Sequence, residues 1–508
     1  MIKKLYLKTL ILSAFFIGLY SHAESMEETK KSTIETAFFS IDKRDFRGGF
    51  SSKGKGGAMT VVGSHIIIAT NEGDFFQIST ETMGVVENFL PHLDNGRDKI
   101  GASKFYSYRE SNGRVHDLLH FNDEFYVSYD LYITETDTIH FEISRFDKNN
   151  KIWTPVYKSL ALDVPYFALG NGGKMIPLDD ENILFSIGDY SLDRKNNLPS
   201  DFASQNPTLP WGKVLKLHVG SGSNSVFSMG HRNIQGLTVL KNGAIIASEH
   251  APRGGDELNA IVEGENYGWP FVSFGTEYNS YKLIDSVPYE EFIDQDAKDQ
   301  ILNNRKIKYS PPFYSFVPSI APTDIIQIDD VSPLWDSNLL LASLKAMSLY
   351  HIKVDMDKTT ALQRKGSVVF VEPIYIGSRI RDIEENGGII WLLLDDGTIS
   401  TIEPTSSLTP VEKNIDGLTS CITCHNAEPT QGSVAPTFKG LFNRQIATSN
   451  FNKYSDGLKL LKSKNPNMRW TETNLIAYLM DPQSFAPGTT MPNMGLTEGG
   501  AKCVIARI

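Results

Sequence analysis

The chain has 508 residues, of which 41% are hydrophobic and 21% are charged. This length indicates more than one domain, and the composition excludes disordered, collagen-like and multi-span membrane proteins. Lys and Arg number 49 against 60 Asp and Glu, and a net charge of −11 argues against a nucleic-acid partner held through its phosphates. Three cysteines in so long a chain cannot form a disulfide framework.

The N-terminal segment, residues 1–23, has the pattern of a secretory signal peptide. Three lysines precede an apolar run over residues 10–19, and Ser21-His22-Ala23 supplies a small-x-small cleavage pattern. An uncleaved anchor is the alternative, but the apolar run is shorter than the roughly 20 residues that span a bilayer. We therefore expect a periplasmic or secreted protein that is not an integral membrane protein once the signal is removed.

Short strands separated by Gly, Asn and Asp dominate the region that we assign to residues 33–404. Three stretches share one layout, an apolar strand, a tight turn and a half-alternating strand: residues 65–78, 339–352 and 389–402. This layout is typical of neighbouring strands in a propeller blade. The uneven spacing leaves a large β-sandwich as the alternative.

The composition changes after Pro404. Residues 405–416 form a polar segment that we interpret as a linker, and residues 417–508 form a second, smaller domain. In this domain a helix is predicted to end at Met480, with Thr471 as its N-cap and Glu472 in its first turn.

The second domain carries the motif Cys421-Ile-Thr-Cys424-His425, which is typical of covalent haem attachment. The two thiols bind the porphyrin and the adjacent His ligates the iron. Met491, in Pro-Gly-Thr-Thr-Met-Pro, is predicted as the second iron ligand, since a His/Met pair raises the reduction potential. Met494 is the competing candidate.

With these motifs, residues 417–508 resemble a small all-α class I cytochrome c of the mitochondrial type. The matching segments are residues 435–444, 451–455, 475–479 and 487–491. The resemblance implies that the Pro436 carbonyl orients His425. It also implies that three side chains bond the haem propionates: Arg444, Tyr454 and Trp470. The family's long final helix is truncated here, and Cys503 is left over within it.

Two polar, glycine-rich loops lie between strands of the first domain, at residues 230–236 and 249–259. Polar groups on loops above a rigid scaffold suggest a site. Together with residues 266–270, they resemble the glucose/sorbosone dehydrogenase family of six-bladed β-propellers, which use pyrroloquinoline quinone (PQQ) and calcium to oxidise sugars. The resemblance implies five PQQ-binding side chains and two backbone-carbonyl ligands for Ca²⁺. These are Arg232, Asn233, Lys345, Arg379 and Arg381 for PQQ, and Ala251 and Pro252 for Ca²⁺.

One departure from the family concerns catalysis. The family's general base is a His, and Gly170 occupies its position, so the catalytic residue is not assigned. His116 and His250 are the candidates to replace it.

Two functions remain open on the sequence alone. In the first, the protein is an exported oxidoreductase whose propeller oxidises a sugar-like substrate through PQQ and whose haem c passes electrons to a respiratory or soluble acceptor. In the second, the propeller is catalytically inactive and binds a ligand or partner, with the cytochrome domain as electron carrier or sensor.

Overall fold

The structure is a computed structural model, and it describes most of the chain. The described residues are 25–37, 39–50, 56–96, 114–163, 170–194, 202–276, 309–332, 335–355, 367–405, 425, 436–438, 440–449, 451, 453–491 and 498–505. Within these ranges no helix is both long enough and apolar enough to cross a bilayer. The predicted signal peptide and most of the predicted linker, residues 406–416, lie outside them.

Two strands precede the first complete sheet: β1 (Glu27–Glu35) and β2 (Ser40–Arg47). Blade 1 contains β3 (Ala58–Val62), β4 (His65–Ala69), β5 (Phe75–Ser79) and β6 (Val85–Glu87). Blade 2 contains β7 (Val115–Phe121), β8 (Glu124–Ile133), β9 (Thr138–Asp147) and β10 (Ile152–Lys158), and β11 (Leu162–Asp163) also pairs with β9.

Blade 3 contains β12 (Gly172–Pro177), β13 (Asn182–Ile187), β14 (Lys213–His218) and β15 (Asn224–Met229). Blade 4 contains β16 (Ile234–Val239), β17 (Ile245–Glu249), β18 (Asp256–Ile261) and β19 (Tyr314–Phe316). Blade 5 contains β20 (Pro322–Gln327), β21 (Leu339–Ser343), β22 (Ser348–Asp355) and β23 (Ser367–Tyr375).

Blade 6 combines both ends of the β region. Its order is β24 (Ile380–Asn386), β25 (Ile389–Leu394) and β26 (Ile399–Pro404), followed by β2 and then β1. The first strands of successive blades lie side by side, and β24 lies beside β3, so the sheets form a closed ring. The first domain is therefore a six-bladed β-propeller, as predicted, and its first strand begins at Glu27, before the predicted boundary at residue 33.

The three stretches with a shared layout are second and third strands of their blades: β4 with β5, β21 with β22, and β25 with β26. Nearly every residue of β4, β21 and β25 is buried. Such strands are covered on both faces by neighbouring blades, which explains their continuous apolar sequences. The interpretation of these stretches as neighbouring strands of a blade is confirmed.

One end of the ring collects the polar loops. Because the strands of each blade are antiparallel, the segment entering each first strand lies at the same end as the segment joining the second and third strands. We call this end the site face. It contains residues 170–171, 230–233, 250–255, 344–347, 376–379 and 395–398.

Five of the six first strands carry β-bulges. The pairing register shifts in β7, β12, β16, β20 and β24, near the site face in each case. A bulge redirects a side chain and is common beside functional sites. The residues at these shifts include His116, Lys174 and Arg381.

The second domain contains four helices within the described residues: α1 (Asp456–Lys464), α2 (Glu472–Met480), α3 (Pro482–Phe485) and α4 (Glu498–Ile505). The Thr471 hydroxyl accepts a hydrogen bond from Asn474 N at 3.2 Å, which confirms the predicted N-cap. Helix α4 has eight residues. Its Ala501 and Val504 pack into the same apolar cluster as Leu475 of α2, so this short final helix still covers the core.

Candidate functional site

Arg232 lies on the segment that leads into β16. Its side chain is buried, and Nη1 donates to the carbonyl oxygens of His250 at 2.8 Å and Ala251 at 3.0 Å. The guanidinium carbon lies 5.6 Å from the ring centroid of Trp269, within cation–π range. Arg232 is therefore a fixed cation on the site face.

Asn233, the next residue, is also buried. Its Oδ1 accepts hydrogen bonds from Gly172 N at 3.1 Å and from Gln235 Nε2 at 2.8 Å. The amide oxygen thus connects blade 4 to the entrance of blade 3. Gly170, which occupies the position of the family's general base, lies two residues before Gly172 in the same part of the site face.

Blade 6 contributes two arginines to the site face. Arg379 Nε donates to Asp395 Oδ2 at 2.9 Å, and Arg381 Nε donates to the other oxygen of the same carboxylate. The Arg379 side chain is 46% exposed and that of Arg381 is 15% exposed. The shared carboxylate holds both guanidinium groups at the rim.

Lys345 lies between β21 and β22 and is exposed on the site face. Its backbone N–H donates to Ile320 O at 3.0 Å, which fixes the loop while the ammonium group faces water. The topology therefore brings the five side chains predicted to bind PQQ to one end of the ring, on blades 4, 5 and 6. Their roles as PQQ ligands remain predictions.

The predicted Ca²⁺ ligands lie between β17 and β18. The Ala251 carbonyl already accepts a hydrogen bond from Arg232, and a Ca²⁺ ion there would face a guanidinium of like charge. The carboxylate of Asp256 accepts from Ala251 N at 3.1 Å and from Ser319 Oγ at 2.7 Å. The described residues contain no cluster of three His, Cys, Asp or Glu that could hold a metal. This arrangement does not fit a Ca²⁺ ion at Ala251.

Gly170 has a φ of +96°, a conformation that side-chain-bearing residues rarely adopt. A Cβ atom there would lie 3.1 Å from Asp189 Oδ1. The Gly170 carbonyl accepts a hydrogen bond from Tyr190 N at 3.1 Å. The backbone at this position is thus adapted to glycine, and the loop offers no proton acceptor at residue 170.

The two candidate replacements have different surroundings. Nε2 of His250 bonds to the Pro322 carbonyl, and burial lowers the pKa of His250 despite the nearby Asp256. His116 Nε2 instead lies 3.1 Å from Asp130 Oδ1. His250 therefore links blades 4 and 5, whereas His116 forms a pair with a buried carboxylate.

A charged cluster on the propeller axis was not predicted from the sequence. Lys174 Nζ lies 3.2 Å from Asp117 Oδ1, 3.0 Å from Asp324 Oδ2 and 3.5 Å from Asp382 Oδ1. Because β7 and β20 belong to opposite blades, a lysine that reaches both must lie near the axis. The sequence does contain a shared pattern for these carboxylates. Asp117, Asp324 and Asp382 each stand directly before a Leu or Ile in the first strand of a blade.

The axial cluster holds more carboxyl groups than its lysine can balance. Burial, opposed by Lys174, raises the pKa of Asp382 to about 7 and that of Glu384 to about 8. The pKa of Lys174 is raised well above its ordinary value: burial acts to lower it, but the surrounding carboxylates outweigh that effect. The cluster therefore combines a permanent cation with carboxyl groups that retain protons near neutral pH.

The predicted haem ligands have suitable surroundings. The His425 ring nitrogen Nδ1 donates to Pro436 O at 2.6 Å, which leaves Nε2 for the iron. Burial lowers the pKa of His425 and so favours the neutral ring that binds metal. Met491 packs against the apolar cluster of this domain. Cys421, Cys424 and Met494 lie outside the described residues, as does the side chain of Cys503.

The three side chains predicted to bond the propionates have protein contacts. Arg444 Nη2 donates to Thr437 O at 3.0 Å, and the Tyr454 hydroxyl bonds to Ser449. Trp470 stacks on Phe485 with centroids 5.8 Å apart. Tyr454 and Trp470 belong to the apolar cluster of this domain, whereas Arg444 is half-buried beside it. The bonds of all three to haem remain predictions.

Residues 115–401 match the glucose/sorbosone dehydrogenase family. The chain belongs to this family. The matched residues cover blades 2 to 5 and, in blade 6, the strands from β24 into β26; β1, β2 and blade 1 precede them. The matched residues include the Arg232 segment, the Gly170 loop and the paired arginines of blade 6.

Three curated relatives match this domain. An uncharacterised protein of Synechocystis is 29% identical over 244 residues, 44% of this chain and 53% of the relative. Aldose sugar dehydrogenase YliI of Escherichia coli is 26% identical over 48% of this chain and 62% of its own length. Quinoprotein glucose dehydrogenase B of Acinetobacter calcoaceticus is 24% identical over 46% of this chain and 63% of its own length. The chain thus spans 53–63% of these relatives.

The C-terminal region is homologous to cytochromes c. Cytochrome c of Ginkgo biloba is 35% identical over 81 residues, which are 16% of this chain and 67% of that protein. Cytochrome c-550 of Paracoccus pantotrophus is 34% identical over 70 residues. This homology implies haem c and agrees with the small all-α domain.

Solved structures share the propeller fold. The apo-form of the soluble aldose sugar dehydrogenase of Escherichia coli aligns with a TM-score of 0.53 at 18% identity, over 72% of this chain and 99% of that one. A glucose dehydrogenase aligns with a TM-score of 0.54 at 20% identity, over 74% of this chain and 100% of that one. At these identities the likeness concerns the fold alone.

Proposed function

We propose that this protein is an exported sugar dehydrogenase that uses PQQ in its propeller and passes the electrons to its own haem c. Membership of the family supports the propeller's part, and cytochrome c homology supports the haem's part. The signal-like N-terminus, with its three lysines and apolar run, supports export to the periplasm or beyond.

The observation that carries the proposal is the charge of the four cationic side chains that are predicted to bind PQQ. Arg232, Lys345, Arg379 and Arg381 supply four positive charges, and Asp395 neutralises one of them. The remaining three match the three carboxylates of PQQ. Arginines already fixed by carbonyls or by Asp395 bind carboxylates with little loss of side-chain entropy. Bound PQQ would accept the two electrons of a hydride from the sugar.

The haem domain supplies the next electron carrier within the same chain. A His/Met-ligated haem accepts one electron at a time and has a raised potential. Tethering it to the propeller raises its effective concentration at the quinone site. A respiratory or soluble protein would then reoxidise the haem.

Gly170 favours a second function, in which the propeller binds a ligand or partner and has lost catalysis. At φ +96° this position has no side chain and a backbone adapted to its absence. In that case the haem domain would be an electron carrier or sensor independent of sugar oxidation.

The deciding experiment uses the full-length, haem-loaded protein. PQQ is titrated in and its binding measured, then haem reduction is followed optically while a panel of aldoses is added. We expect quinone-dependent haem reduction. Lys345→Ala should weaken PQQ binding because it removes one site-face cation. Lys241→Ala is the matched control, because Lys241 follows β16 at the opposite end of the ring, where it pairs with Asp329 at 2.6 Å.

Two results would contradict the proposal. Absence of PQQ binding eliminates it. Binding of PQQ without haem reduction by any aldose favours the inactive, ligand-binding propeller instead.

A further inference from the structure

His116 and Asp130 form a buried pair beside the loop that lacks the family's base. His116 lies at the bulge of β7, and Asp130 lies on the neighbouring strand β8. Nε2 of His116 is 3.1 Å from Asp130 Oδ1, and the two side chains are 3% and 0% exposed. The bulge directs this imidazole away from the regular ladder and toward the next blade.

Asp130 is held by more than the imidazole. Tyr190 Oη donates to its Oδ1 at 2.5 Å, and Asn171 Nδ2 donates to its Oδ2 at 2.6 Å. Burial acts to raise the pKa of Asp130, but the charge of His116, the bond from Tyr190 and the charge of Arg114 outweigh it, so the pKa is lowered. A carboxylate of lowered pKa, 3.1 Å from Nε2, can position the imidazole and stabilise it after it takes a proton.

The pair lies directly against the Gly170 loop. A Cβ atom on Gly173 would lie 2.2 Å from His116 Cβ, so the His116 side chain packs on the start of β12, which directly follows this loop. Asn171 belongs to the same loop, and Tyr190 N donates to Gly170 O at 3.1 Å. Tyr190 also has a φ of 50°, in the left-handed region. Such a conformation in a non-glycine residue is often retained at functional sites.

We propose that His116 is the catalytic base that replaces the missing side chain at residue 170, with Asp130 as its positioning residue. This inference rests on the proposed function. His116 Nδ1 takes the proton of the sugar's anomeric hydroxyl, the C1–H bond breaks, and the hydride passes to bound PQQ. The C1–O bond becomes a carbonyl, so the sugar loses two electrons and two protons in total.

The surroundings of His116 favour this role. Phe141 stacks on the ring with centroids 5.9 Å apart and planes 11° apart, which fixes its orientation. The charged groups facing the pair are Arg114, whose charge acts on Asp130, and the axial cluster of Asp117 and Lys174. Asp189 lies across the Gly170 loop. Asp130 is the charged group in contact with the imidazole itself.

The kinetic test compares two histidines of strand β7. His116→Ala should lower the rate of aldose-dependent haem reduction by about 10²–10⁴-fold, the usual range for loss of a general base. PQQ affinity should not change, and added imidazole should restore part of the rate. His120→Ala is the matched control and should keep the full rate, because His120 packs on Phe125 away from the pair.

A second test needs neither PQQ nor sugar. In the full-length protein labelled with ¹⁵N-histidine, the neutral His116 ring should carry its proton on Nε2, facing Asp130, and leave Nδ1 free. Asp130→Asn should disturb this tautomer and also slow haem reduction. A merely structural Asp130 would leave the tautomer unchanged.

The outcomes separate the two proposals. If the unmodified protein reduces its haem with aldoses and His116→Ala retains that rate, the base is elsewhere and this inference is wrong. A proton on Nδ1 of the neutral His116 ring would also contradict this inference. This measurement uses the unmodified protein, so it holds even if the alanine variant does not fold. If the unmodified protein shows no aldose-dependent reduction, the proposed function itself fails.

Discussion

Lys174 joins side chains from opposite blades of the propeller. Its ammonium group contacts Asp117 from blade 2 and Asp324 from blade 5, both of them buried carboxyl groups. Asp382 also accepts Met59 N at 2.7 Å, which adds blade 1 to the cluster. Removing Lys174 would leave its carboxylate partners buried without a cation, which is strongly destabilising. The axial cluster therefore joins blades 1, 2, 3, 5 and 6 at the propeller axis.

The axial cluster should make propeller stability depend on pH. The pKa of Glu384 rises from 4.5 to about 8 on folding, so the folded state binds more protons than the unfolded chain between these values. The free energy of unfolding should therefore fall as the pH rises through this range. Glu384→Gln mimics the protonated acid and should flatten the decline, as measured by urea unfolding at pH 6, 7.5 and 9.

Glu403→Gln is the control for this experiment. Glu403 lies on β26 of the same blade and pairs with Arg44 at 3.6 Å in contact with water. Its replacement should leave the slope of stability against pH unchanged. An identical slope in Glu384→Gln and the unmodified protein would show that Glu384 does not titrate in the folded state.

Met491 is predicted to complete the haem coordination. Met491→Ala should abolish the Met-dependent absorption of the oxidised haem and lower the reduction potential, because the thioether favours ferrous iron. Optical spectroscopy and a redox titration measure both effects. Met480→Ala, at a position 38% exposed on α2, should change neither. An unchanged spectrum in Met491→Ala would point to Met494 or another ligand.

Among the elements, β2 closes the ring. It pairs with β26 from Ile41 opposite Pro404 to Phe46 opposite Ile399. Ile41 is fully buried and packs in the cluster that contains Trp335 and Ile402. One strand thus joins the N-terminal segment to the last blade through both its hydrogen bonds and its core.

Ile41→Ala should therefore destabilise the propeller by about 2–5 kcal/mol, the range for truncation of a fully buried isoleucine. Urea unfolding, monitored by tryptophan fluorescence, measures the change. Ile152→Ala is the comparison: Ile152 lies on the outer strand β10 and is 53% exposed. A similar loss in both variants would mean that closure at β2 contributes little.

Elements with a strong local signal could be predicted from the sequence. The apolar run of β25 and the Thr471 cap of α2 depend on neighbours in the chain, and both are confirmed. The predicted propeller boundary at residue 33 leaves out the first part of β1. Most residues of this strand are polar and exposed, and its extended conformation depends on pairing with β2. The axial cluster and the His116–Asp130 pair depend on contacts between strands and blades, which no local pattern shows.

At the scale of the whole molecule, the two domains differ in charge. Residues 417–508 contain nine Lys and Arg against five Asp and Glu, whereas residues 1–416 contain 40 against 55. Opposite net charges favour the association of two surfaces, and this attraction weakens as salt screens the charges. The charge difference agrees with the proposed electron transfer between the two domains.

Salt should therefore slow haem reduction by the sugar in the PQQ-loaded protein. We expect a several-fold decrease in the stopped-flow rate between 20 mM and 500 mM salt, since the Debye length shortens from about 20 Å to about 4 Å. Reduction of the same haem by a small uncharged reductant is the control and should not change. Equal salt dependence of both reactions would exclude an electrostatic contribution to docking.

The closure of blade 6 also determines the order in which the protein can fold. Asp45 accepts a hydrogen bond from Ser400, a residue 355 positions later in the chain. Strand β2 therefore has no partner on this side until nearly the entire propeller has left the ribosome, and contacts this distant in sequence form slowly. Until then its exposed edge is open to pairing with other chains. The newly made chain should depend on chaperones until β26 arrives.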